Sequence, residues 1–327
     1  MRKAIAIAPL LVVVLAVSTA SALDFGPQFI VQDGAADLQV LGYSTPSLVD
    51  WNSDGLLDIM TGERTYPKVR VYLNVGAVGS PAYNGFSYVQ ADGVDIQVLG
   101  RSCMGSFPRA VDWNSDGKKD LIVGDSYGKY TLFVNIGTDA APVFGAGIFL
   151  QAGGVDIDVG ERATFNVVDY NNDGMKDMVT GGLDGLVRVF LNEGADAAPI
   201  FSGSTTLPLV VPDARASVVI AELDGDGRKD LLVGNTTGYI LLYSNQGTDA
   251  APAFSTYTAV TSCGVPIHLP NDPRTRPSIG DYNGDGIWDL IVGDVTGKVY
   301  VYQGLPEPGT MLLLAAGGVG VLRHRRR

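Results

Sequence analysis

Residues 112–124 read DWNSDGKKDLIVG, and the pattern recurs at 50–62 (DWNSDGLLDIMTG), 169–181 (DYNNDGMKDMVTG), 222–234 (ELDGDGRKDLLVG) and 281–293 (DYNGDGIWDLIVG). The five copies align without gaps, at spacings of 62, 57, 53 and 59 residues. A fixed period of this length marks a repeat architecture. The flanks repeat as well. An apolar segment such as 46–49 or 165–168 precedes each loop, and another, such as 121–123, follows it. A Gly-containing turn then leads to an alternating strand: VRVYLN to Asn74, TLFVN to Asn135, VRVFLN to Asn192, LLYSN to Asn245 and VYVYQ to Gln303. Linkers with a proline come next, among them TDAAPVF (138–144), ADAAPIF (195–201) and TDAAPAF (248–254).

Each unit therefore reads strand, acidic loop, strand, turn, strand, linker, strand. Four short strands in a unit of this size make one propeller blade, so the pattern predicts an all-β, five-bladed β-propeller with four-stranded blades. The final unit stops at Gln303-Gly304 and lacks a following segment. The N-terminal FIVQDGAADLQV matches FSYVQADGVDIQV at 86–98 and has no unit before it. The N-terminal strand is thus expected to close the last blade. No composition shift interrupts the period, which favours one domain over 23–305 rather than the two that length alone suggests.

Within each loop, positions 1, 3, 5 and 9 carry side-chain oxygens, position 6 is Gly, and position 7 can offer a backbone carbonyl. The candidate ligands are Asp50, Asn52, Asp54, Leu56 and Asp58; Asp112, Asn114, Asp116, Lys118 and Asp120; Asp169, Asn171, Asp173, Met175 and Asp177; Glu222, Asp224, Asp226, Arg228 and Asp230; Asp281, Asn283, Asp285, Ile287 and Asp289. Hard oxygen donors at alternate positions of a tight loop suit Ca²⁺, up to five ions in a structural role. With no sulfur or imidazole in the set, zinc and copper are disfavoured. An EF-hand needs an acid at position 12, where Thr61, Val123, Thr180, Val233 and Val292 instead continue a strand. Without a cation, so many carboxylates in nine residues repel one another. Glu222 is longer by one methylene, so the fourth loop is expected to be the weakest site.

This arrangement resembles the FG-GAP/VCBS repeat family, whose blades occur in the integrin α-subunit head and in many secreted bacterial proteins. The likeness spans nearly the whole chain between its two ends. It implies that the inner strand precedes the acidic loop.

The two ends read as addresses. Arg2 and Lys3 precede an apolar run over 4–17 and Ala20-Ser21-Ala22, a secretory signal peptide over 1–22 cleaved after Ala22. At the other end, Pro306-Glu307-Pro308 leads to an apolar run over 311–322 and to Arg323-His324-Arg325-Arg326-Arg327. The run is shorter than the roughly 20 residues a spanning helix needs. The tail, 306–327, resembles the PEP-CTERM sorting signal of Gram-negative bacteria. That likeness implies processing by an exosortase, only transient membrane contact through the tail, and an extracellular, cell-surface or matrix location.

Charge narrows the partners. The chain carries a formal charge of −12, and the part between its two ends about −17. Nucleic acid is excluded as partner, because phosphate binding needs clustered Lys and Arg. With His268 and His324 the only histidines, His-based metal clusters and Ser-His or Cys-His catalysis have little to work with. Export permits oxidation, and Cys103 and Cys263 both fall before inner strands, in units that are not neighbours.

Seven residues before the first loop ligand stand Tyr43, Gly105, Arg162, Arg215 and Arg274. In a blade this position lies on the face opposite the loops, so Tyr43, Arg162, Arg215 and Arg274 form a candidate ligand site at the channel mouth, with Arg101 and Arg276 close by. Neighbouring turns add Arg64, Tyr66, Asp125, Tyr127, Asp184 and Asp294. Such a set suits an anionic glycan or a peptide carboxylate. The bland alternative is that these arginines pair with acidic turns. The function expected is an exported calcium-binding module for surface or matrix adhesion, with an extracellular glycan or protein ligand and no catalytic residues. The alternative is a secreted polysaccharide-active glycosidase or lyase, which needs paired carboxylates. The 18 acids outside the loops single out no such pair.

Overall fold

The computed structural model describes residues 23–100, 105–269 and 274–306. The signal peptide, Arg101, Cys103 and residues 307–327 of the tail lie outside the described residues. No helix among the described residues is long and apolar enough to cross a membrane.

The strands assemble as five antiparallel sheets. Blade one orders Thr45–Val49, Asp58–Gly62, Val69–Tyr72 and Ser87–Tyr88. Blade two has Phe107–Val111, Asp120–Gly124, Tyr130–Phe133 and Ile148–Phe149. Blade three has Thr164–Val168, Asp177–Gly181, Val187–Phe190 and Thr205–Thr206. Blade four has Ser217–Glu222, Lys229–Gly234, Ile240–Tyr243 and Thr258–Ala259. In each, the acidic loop joins the innermost strand to the second.

Blade five takes three strands from the C-terminal repeat, Arg276–Gly280, Asp289–Gly293 and Val299–Gly304, and its fourth, Asp24–Ile30, from the other end of the chain. Phe29 pairs with Val301 and Ile30 with Tyr300, antiparallel. Closure by the N-terminal strand is therefore part of the fold. The same strand also runs parallel to Thr261–Ser262, which with its hairpin partner Val265–Pro266 extends the sheet to six strands.

Packing explains why the units close into a ring. The blades' apolar faces meet in five clusters, one at each blade–blade junction. Ile59 and Tyr72 of blade one, for example, pack with Ile291 and Val301 of blade five. A sheet with two apolar faces must bury both, and a ring gives every blade two neighbours. The glycine ending each loop pattern sets how closely neighbours approach. A Cβ on Gly62, Gly124, Gly181, Gly234 or Gly293 would collide with the carbonyl oxygen of Ser106, Ala163, Ala216, Thr275 or Ser44, the backbone leading into the next blade.

Outside the blades sit short hairpins not foreseen from the repeat, such as Gln90–Ala91 with Val94–Asp95 and Gln151–Ala152 with Val155–Asp156. They turn the chain from the rim back toward the axis and plug four of the five junctions with apolar residues, including Val89 with Ile96 and Leu150 with Ile157.

Candidate functional site

The acidic loops lie together on one face, and four share a single geometry. In the first, Asp50 accepts the amides of Asp54 (3.1 Å) and Gly55 (3.0 Å) on its two oxygens. Asp112, Asp169 and Asp281 hold the equivalent pairs of amides. Asn52 Nδ2 donates to Asp54 Oδ2 at 2.9 Å, and Asn114, Asn171 and Asn283 repeat the bond. Asp54, Asp116, Asp173 and Asp285 each accept the amide of position 7, from Leu56, Lys118, Met175 and Ile287. Position 6 needs a left-handed backbone, and Gly55, Gly117, Gly174 and Gly286 supply it at φ values of 82–87°.

The ninth position does something the spacing does not reveal. Asp58, Asp120, Asp177, Asp230 and Asp289 are fully buried. One oxygen of each accepts the amide of loop position 2 (Trp51, Trp113, Tyr170, Leu223, Tyr282). The other accepts the amide that ends the third strand (Asn74, Asn135, Asn192, Asn245, Gly304). Each of these carboxylates therefore ties its loop to its blade. Burial pushes all five up from the usual carboxylate range, Asp230 to about 6.

The fourth loop differs. Glu222 Oε1 reaches the amide of Gly225 at 2.6 Å, one residue short of the position-5 amide held by its counterparts. Oxygens of Glu222, Asp224 and Asp226 lie within 4.8 Å of one another, the one cluster of metal-ligating side chains of this kind among the described residues. Arg228, whose carbonyl stands at position 7, turns its guanidinium onto Asp226.

Sequence reasoning missed a supporting set. Asp139, Asp196 and Asp249, in the proline linkers, accept the amides of Lys119, Lys176 and Lys229 at 2.8 Å. Asp139 and Asp196 also accept Ser53 Oγ (2.7 Å) and Ser115 Oγ (2.6 Å) from the preceding blade's loop. The signal was present in the repeated Asp of TDAAP and ADAAP, where the proline drew the attention.

On the opposite face, Tyr43, Arg162, Arg215 and Arg274 all adopt positive φ, from 49° to 63°, an uncommon state for such side chains. Tyr43 and Arg162 are buried, at 2% and 1% exposure, whereas Arg215 and Arg274 are half-buried. Tyr43 is the gathering point: the guanidiniums of Arg64, Arg274 and Arg276 lie 5.4, 5.5 and 4.6 Å from its ring centroid. Arg162 stands 5.7 Å from the Phe107 ring. Asp125 and Asp294 are buried, Asp184 pairs with Arg188, and Tyr66 and Tyr127 are exposed. Cys263 is a free, exposed thiol, and His268 is exposed with its ring against Tyr239.

Comparison with known proteins agrees with this arrangement. The FG-GAP-like repeat family model matches residues 169–233 and 223–292, and the PEP-CTERM protein-sorting motif matches 305–327. Integrin alpha-4 of Xenopus laevis is 31% identical over 101 residues, covering 27% of this chain and 9% of that protein. The chain thus spans a small part of that relative's length. A GH43_1 enzyme from Xanthomonas citri superposes with a TM-score of 0.52 at 16% identity, over 82% of this chain and 89% of that one. The same enzyme complexed with xylose gives 0.50 at 15%, over 82% and 88%. These likenesses speak to the fold alone. The fold is a five-bladed propeller, similar over residues 169–292 to FG-GAP-like repeats, and residues 305–327 match the PEP-CTERM sorting motif.

Proposed function

We propose that this FG-GAP-like propeller is an exported, calcium-stabilised binding module displayed at the cell surface or in the matrix of a Gram-negative bacterium. The observation that carries the metal reading is the gathering of Glu222, Asp224 and Asp226 oxygens in one loop. Three such groups sharing the single guanidinium of Arg228 still repel, and a dication relieves that repulsion. The donor set fits, since every candidate ligand offers oxygen. In the other loops the carboxylates and Asn oxygens at positions 1, 3 and 5, with the carbonyl of position 7, supply the same chemistry. Bound Ca²⁺ would supply charge neutralisation and cross-link the loop, with the ninth-position aspartates as anchors. At about 1 mM Ca²⁺ and Kd values near 10⁻⁴–10⁻³ M, linkage amounts to roughly 0.4–1.4 kcal/mol per site.

The sorting motif supports export, with the signal peptide removed after Ala22 and the tail removed by an exosortase. The ligand face is the channel-mouth side, where Arg215 and Arg274 reach the surface beside Tyr43. Its ligand is an acidic glycan or a protein carboxylate. A glycan and peptide array probed with and without Ca²⁺ tests this. Calcium-dependent retention of acidic ligands, reduced by Arg274→Ala, is the expected result. Turnover of a polysaccharide, abolished by substituting one carboxylate outside the loops, would replace binding with catalysis.

A further inference from the structure

A cavity of about 20 Å³ lies on the axis of the ring. The first residue of every inner strand lines it: Thr45, Phe107, Thr164, Ser217 and Arg276. Arg109, two residues along its own strand, joins them. Two guanidiniums and three hydroxyls thus border one small space, with no carboxylate on its wall among the described residues.

Arg276 is the anomaly. It is 4% exposed, and Nε, Nη1 and Nη2 all lack a hydrogen-bond partner among the described residues. The Tyr43 and Phe107 rings, with centroids at 4.6 and 6.0 Å, give the cation aromatic neighbours but no hydrogen-bond acceptor. Arg109 Nη1 donates to the carbonyls of Pro108 (3.1 Å) and Pro46 (3.4 Å), which carry no formal charge. Ser217 Oγ is buried without a partner too. Burial pushes Arg276 down to about 9 and Arg109 to about 10, and Arg215 and Arg274 add to the pressure on Arg276. Asp294 opposes them. Its carboxylate, however, is already engaged with the Thr296 amide and hydroxyl and the Lys298 amide.

A buried guanidinium with its N–H groups unanswered is strongly unfavourable, and proteins pair such charges. The missing partner must be negative, must accept without donating, and must be small. We propose that the channel binds a monatomic inorganic anion of halide size, held by Arg276 and Arg109 with the Ser217 hydroxyl as a further donor. Size selects this class, because the cavity admits one body of about the size of a water molecule and no sugar or peptide carboxylate. The anion links the inner strands of blades two, four and five at the point where all five converge.

The test is melting of the intact propeller, supplied with calcium gluconate, as sodium gluconate is exchanged for sodium chloride or bromide at constant ionic strength. A rise of about 2–4 °C at roughly 0.2 M halide is expected, by ligand linkage. Crystals soaked in bromide are expected to show an anomalous peak against Arg276 and Arg109. Arg276→Met is expected to abolish the halide dependence, while Arg188→Gln on the rim retains it. Because Arg276→Met risks misfolding, the wild-type titration and the bromide map decide by themselves. A melting temperature indifferent to halide, a channel free of bromide, or full halide dependence retained in Arg276→Met would each overturn the proposal.

Discussion

Loops two and four share one thirteen-residue pattern, with seven positions identical, and end in different electrostatic states. In loop two, Asp112 folds back onto its own backbone, with one oxygen on the Asp116 amide and the other on Gly117. Asn114 places an amide nitrogen beside Asp116. In loop four, Glu222 takes the position-4 amide of Gly225 in place of those two, Asp224 replaces the Asn, and three carboxylates crowd together with Arg228 turned in against Asp226. Among the ligand side chains, the difference is one methylene and one amide for a carboxylate. A loop that spreads its carboxylates over its own amides tolerates the absence of a cation, whereas one that gathers three of them round a single guanidinium gains more from a dication. The expectation from sequence set the fourth loop as the weakest site, on grounds of reach. Convergence of its oxygens argues that it gains the most from a cation.

The largest effect tests whether the comparison concerns a metal at all. Chelation is expected to lower the melting temperature by about 5–20 °C, from roughly 2–7 kcal/mol over five sites. Equal melting curves in chelator and in millimolar Ca²⁺ would remove the metal from both loops.

Next comes the feature the two loops share. Asp120→Ala strands the buried amides of Trp113 and Asn135 and is expected to destabilise by about 2–5 kcal/mol in chelator and in Ca²⁺ alike. Asp116→Ala, on the exposed arc of the same loop, is expected to lose only the calcium-linked part, about 1 kcal/mol. Urea midpoints with and without Ca²⁺ separate the two. Equal calcium dependence in both variants would mean that the ninth position is a ligand first and an anchor second.

A smaller effect comes from converting loop four to the common pattern. Glu222→Asp combined with Asp224→Asn is expected to raise the melting temperature in chelator by about 2–4 °C, a gain of about 1 kcal/mol. In saturating Ca²⁺ the gain is expected to vanish. No change in chelator would show that crowding costs the apo protein nothing.

The smallest is a pH slope. Asp230 is pushed up to about 6, first by burial and then by Asp224 and Asp226. Its folded pKa lies above its unfolded one, so the native state holds the extra proton between them. In chelator, its contribution is therefore full below about pH 4 and falls as pH rises through 6. Denaturant midpoints at pH 4.5 and 7 are expected to differ less in Asp230→Asn than in wild type. Parallel pH profiles for the two proteins would contradict the shift.

How far these features were legible depends on what repeats. The blades, their register and the closing strand could be read because each unit restates the others, so the unpaired FIVQDGAADLQV could be matched to its missing place. The ligand pattern was legible for the same reason. What could not be read were the properties set by packing between units. Nothing in the spacing separates Asp58 from Asp54, yet one is buried against Asn74 and the other is exposed. Arg109 and Arg276 share no repeat position, and only the ring brings them to one cavity. Arg162 was read as a surface residue and lies inside, because its backbone turns left-handed toward Phe107.

The closing strand sets an order of events. Tyr302 Oη donates to Gln28 Oε1 at 2.6 Å across a separation of 274 residues. Among the described strands, Asp24–Ile30 is synthesised first and its partner Val299–Gly304 last. Every earlier chain length leaves a ring with an open seam, exposing the edges of blade four's hairpin and of the waiting strand. Contacts this distant in sequence form slowly. Blades one to four pair within themselves, so the exposed edges that invite aggregation are confined to this seam until Val299–Gly304 arrives. Completion of the ring thus waits on the last of the described strands, and every contact at the seam is made late.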